Sequence, residues 1–154
     1  MADGMSIDGV TIDRLDTSSE TDAFRFAINS WLRSYAEAYE RSVIHRRMTE
    51  SERGAYFRRE HPAMMEALHR HTVLVARLTS DPDAFVGWAC GSAGALQYVF
   101  VKRGPWRRCG IASRLVEQVA GKRGGVYRYG SLHLKALDAF ERRGWRYEST
   151  AVEV

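Results

Sequence analysis

Around one glycine, Gly110, the apolar pattern of this chain changes from extended to helical period, and few folds accommodate that change. The run before it, Leu96-Gln97-Tyr98-Val99-Phe100-Val101, is rich in β-branched and aromatic residues and predicts a strand. After it, Ile111, Leu115, Val116 and Val119 recur at helical spacing, so the intervening turn must open a helix. The first N–H groups of a helix have no internal partner and, together with the macrodipole, they favour an anion. Gly110 puts no side chain in front of those groups, while Arg107 and Arg108 bring charge-assisted donors. Basic residues at a helix start oppose the dipole and call for a compensating anion; the alternative reading of both is a solvated basic cap.

Charge is distributed to match. Seven basic residues (Lys102, Arg103, Arg107, Arg108, Arg114, Lys122, Arg123) stand against Glu117 between Val101 and Arg123, in a chain whose net charge is only +4. A second basic group, His45-Arg46-Arg47 with Arg58-Arg59, is diluted by Glu50, Glu52 and Glu60 and reads as a solvated helix face.

The remaining elements follow from period and punctuation. Met1 to about Ser6 reads as a frayed terminus, and Val10 to Leu15 alternates as a first strand. Ser19-x-x-Asp22 resembles a capping box, after which Phe24, Ile28, Trp31, Leu32, Tyr35, Tyr39 and Val43 form one helical stripe. Thr49-x-x-Glu52 starts a second helix, and Pro62 is expected to end it and begin a short third one through Met65 and Leu68. From Thr72 the period becomes extended. Strands are predicted at Val73 to Leu78 and Ala84 to Ala89, joined through Ser80-Asp81-Pro82-Asp83, and Gly91-Ser92-Ala93-Gly94 turns into the strand ending at Val101. Beyond the Gly110 helix come a short strand at Val126 to Tyr129, parallel to its predecessor because a crossover precedes it, a helix from about His133 to Arg143, and a terminal strand from Arg146.

Arg107-x-x-Gly110-x-Ala112 resembles the acyl-CoA-binding motif of the GCN5-related N-acetyltransferase (GNAT) superfamily, written Gln/Arg-x-x-Gly-x-Gly/Ala. About thirty residues on, the segment from His133 to Trp145 resembles the family's Asn-x-x-Ala-x-x-x-Tyr-Glu-x-x-Gly-Phe. Ala136, Glu141 and Gly144 match, Trp145 replaces one aromatic with another, His133 stands for Asn and Phe140 for Tyr. The resemblance covers about residues 72–154, and broadly extends to small phage-borne members. It implies an α+β fold: a central mixed, mostly antiparallel twisted sheet, splayed between two parallel strands and flanked by helices. It implies one domain over 1–154, with an acceptor-side part (1–71) and a CoA-binding core (72–154). It also implies acetyl-CoA as cofactor, held by Phe100, Val101, Arg107, Arg108, Cys109, Gly110, Ile111, Ala112, Ser113, His133 and Phe140, and acetyl transfer to a primary amine of a small molecule, peptide or protein.

The chemistry asks for an oxyanion donor, a recipient for the amine proton and, optionally, an acid for the leaving thiolate. The family's Tyr acid is Phe140 here, which cannot donate. His133 is the first substitute, because imidazole titrates near neutrality, and Tyr98, Tyr127 and Tyr129 come next; the other readings are a helix cap or surface residue for His133 and core aromatics for the tyrosines. A thiolate also leaves unaided. Cys109, at a helix start beside arginines, has a lowered-pKa argument as nucleophile but no base beside it in sequence. Trp31, Tyr35 and Trp88 are candidate walls of the acceptor pocket, but core packing is the default reading, since Trp31 and Tyr35 lie on the stripe that buries the first helix.

Two cysteines without metal or disulfide spacing, no signal-peptide pattern and no long apolar run predict a soluble, cytoplasmic protein with no metal site and no membrane partner, monomeric or homodimeric. A pI near 9.3 with interleaved Tyr and Trp keeps nucleic acid open as a partner or substrate, and the Phe140 departure keeps open an acyl-CoA sensor without turnover.

Overall fold

A computed structural model describes residues 6–7, 9–40, 47–102, 104–106, 110–122, 125–127, 142 and 144–147. Among these residues the elements run in order β1 (Ser6–Ile7), β2 (Val10–Arg14), α1 (Asp22–Glu40), α2 (Glu50–Arg70), β3 (Thr72–Leu78), β4 (Phe85–Ser92), β5 (Ala95–Val101), α3 (Ile111–Ala120), β6 (Val126–Tyr127) and β7 (Arg146–Tyr147). The strands form one sheet in sequence order, antiparallel from β1 through β5 and parallel from β5 to β6 and from β6 to β7. The expected α+β class and the parallel β5–β6 pair are therefore present. Ser6 departs from the expected frayed end: it pairs with Thr11 across a tight turn at Gly9, where φ is 83°.

Helices cover both faces of the sheet, which explains why Val73-Leu74-Val75-Ala76 is apolar without a break. Val73 and Val75 point into a core shared with α1 and α2, together with Phe24, Ala27, Trp31, Met64, Leu68, Trp88, Cys90 and Tyr98. Leu74 and Ala76 point to the other side, where Ile111, Leu115, Val116 and Val119 of α3 pack with Ile12, Val86, Ala89, Leu96 and Trp145. The spacing of apolar residues in α3 thus becomes its buried stripe.

Two expectations about helix ends need correction. Thr21, rather than Ser19, caps α1: its hydroxyl accepts the Phe24 N–H at 3.2 Å, while Ser19 contributes only its carbonyl to the Thr21 N–H. Pro62 does not divide the second helix, which runs unbroken from Glu50 to Arg70 with Pro62 inside it. Arg58 and Pro62 both lie on an exposed stretch, so water can serve the carbonyl that proline leaves without a donor. Buried Met64, Ala67 and Leu68 then hold the helix to the sheet beyond the proline. The Thr49 box forms as expected, with reciprocal bonds to Glu52, each 3.1 Å.

Register shifts twice. Ala76 faces Gly87 but Arg77 faces Phe85, so Val86 is an extra residue on β4. Cys90 faces Tyr98 but Gly91 faces Leu96, so Gln97 is an extra, fully buried residue on β5. Each bulge reverses which way the next side chains point.

Candidate functional site

The head of α3 stands where the sequence placed it, after β5. Lys102 still donates its N–H to Val86 O at 2.8 Å, after which the chain passes Gly104 and Trp106 and re-enters at Gly110. Gly110 is the N-cap residue at φ 85° and ψ 4°, a left-handed conformation that a side chain resists. The N-cap itself supplies no side-chain hydrogen bond, and no acid occupies the first turn of the helix. The Gly110 carbonyl accepts the Arg114 N–H at 3.0 Å, and a Cβ placed on Gly110 would meet nothing within 4 Å. The glycine is therefore demanded by backbone angle and not by crowding at its Cβ position.

Around this head, Ile111 is buried, Ala112 is exposed and Ser113 is half-buried. Arg107, Arg108 and Cys109 lie outside the described residues, as do His133 and Phe140. Phe100 and Val101 are both partly buried but on opposite faces, Val101 with the α3 side and Phe100 with the α1 side.

The α1 face is built around aromatic rings. Tyr98 stacks on Trp31 with centroids 5.0 Å apart and lies 5.1 Å from Trp88. Its hydroxyl donates to Ser34 Oγ, which in turn donates to Ser30 O at 2.9 Å. Trp88 Nε1 donates to Ser30 Oγ at 2.6 Å. Trp31 and Trp88 are both fully buried, so of the two readings of these residues the structure puts them in the core, where neither contributes open wall. The Trp31 indole N–H is buried and meets no hydrogen-bond acceptor among the described residues. Tyr35 lies in α1, with its side chain outside what is described.

Sequence reasoning missed Ser30, Ser34 and Phe26. Their spacing of four along α1 is the signal that was present: Phe26, Ser30 and Ser34 share a stripe beside the Phe24–Ile28–Trp31 one. Only the strands opposite show which aromatic each one meets.

Burial also sorts the titratable groups. The Cys90 thiol is pushed up to about 12 by desolvation, and its S–H faces Ala67 O at 3.6 Å, so it is an inert core group. His71, the C-cap of α2, is held below its ordinary value by burial and by the neighbouring Arg70 charge. Among the described residues, no group of three His, Cys, Asp or Glu side chains could hold a metal ion, and no helix is long and apolar enough to cross a membrane.

No protein-family model matches the chain. No curated protein matches it either.

Proposed function

We propose that the protein is a CoA-dependent N-acetyltransferase of the GNAT type, acting on a primary amine. The observation that carries this reading is the head of α3: a left-handed glycine at the N-cap, which brings no side chain of its own to the helix start and whose Cβ position is open among the described residues. Backbone donors so arranged suit the diphosphate of CoA, and Arg107 and Arg108 immediately precede them in sequence.

Two further features support it. α3 is the crossover between the parallel strands β5 and β6, and ligands of such units gather outside the carboxyl ends of the strands. The Gln97 bulge lies on β5, the strand from which a backbone N–H would meet the thioester oxygen, and bulges re-aim backbone groups of this kind.

In the reaction the amine nitrogen, unprotonated, bonds to the acyl carbon. The carbon–sulfur bond then breaks and its electron pair leaves with CoA as thiolate. One proton departs from the nitrogen to water or to His133, and the thiolate takes one from solvent. With Phe140 unable to act as acid, the thiolate's own stability as a leaving group is what the step relies on.

The test compares two variants. Gly110→Ala imposes only backbone strain, whereas Gly110→Trp imposes the same strain and fills the open space. Acetyl-CoA at saturation should raise the Tm of wild type and of Gly110→Ala by several degrees, and that of Gly110→Trp by none. No rise in wild type removes the proposal. CoA release with a panel of amines then separates turnover from mere binding, and His133→Ala within about twofold of wild-type turnover excludes His133 as the proton carrier.

A further inference from the structure

We draw no further inference here: the strongest candidate, the partly exposed aromatic rim that Phe26 of α1 forms with Phe85 of β4 and Phe100 of β5, carries none, because nothing in the structure shows what covers it.

Discussion

Trp88 on β4 donates its indole N–H to the Ser30 hydroxyl on α1 at 2.6 Å, and both residues are buried. This single bond ties the first helix to the middle of the sheet, across 58 residues of sequence. The Ser30 hydroxyl proton is directed to Ala27 O at 3.0 Å, so its oxygen is left to accept from the indole.

Ser30→Ala should therefore destabilise the protein by about 1–3 kcal/mol, the cost of leaving a buried indole N–H without an acceptor. Urea unfolding followed by Trp fluorescence measures it: the midpoint should fall at unchanged m-value. Ser30→Thr, which keeps the hydroxyl, should recover part of the loss.

Gly125→Ala should cost more than Gly110→Ala. At Gly110 the penalty is a left-handed backbone with free space around it, about 1–2 kcal/mol. At Gly125 a Cβ would overlap Gly94 O, a backbone atom in the β4–β5 turn, which Gly94 N–H ties to Ala120 O at the end of α3. Neither backbone can give without shifting the other. Parallel denaturation curves of the two variants should show the difference, and equal stabilities would contradict the close approach.

Stability should begin to fall as the pH drops below about 6.5. His71 is ordinarily half-protonated near 6.5, and its folded value is lower. Between the two values the unfolded chain binds the proton and the folded chain does not, so acid favours unfolding; above 6.5 neither state is protonated and the effect vanishes. Asp16 and Glu52, both also held low by hydrogen bonds, add losses only at pH below the carboxylate range. Midpoints measured from pH 8 to 5 should decline in wild type and be flatter in His71→Phe.

Cys90 should be silent to thiol reagents in the native protein. Burial pushes its thiol up to about 12, leaving a negligible thiolate fraction at pH 8. In a Cys109→Ser background, Ellman's reagent should release no colour until urea is added, and then one equivalent. Prompt reaction of the folded variant would place Cys90 outside the core.

Much of this architecture was legible in the sequence because its signals are local. The Thr49 box, β5 and the apolar stripe of α3 each need only the neighbours along the chain and stand where expected, whereas the turn expected over Gly91–Gly94 is shorter, since Gly91 and Ser92 continue β4 in pairing with β5. Pro62 was misread because a proline's local cost outweighs its neighbours only when tertiary anchors are absent, and Met64 and Leu68 supply them. Ser19 lost the capping role to Thr21 because two hydroxyls lay within reach of the same helix start, and the choice between them is a matter of backbone geometry.

For the candidate site the division is similar. Sequence alone determined that a glycine opens α3 behind a strand, since periodicity and the absence of a side chain are properties of the chain itself. Tertiary structure decided that Gly110 adopts φ 85°, that Trp31 and Trp88 are core rather than wall, and that Phe26 meets Phe85 and Phe100. Those facts depend on which residues a second element brings opposite. A one-residue bulge such as that at Gln97 is enough to change the answer, because it reverses every side chain that follows on the strand.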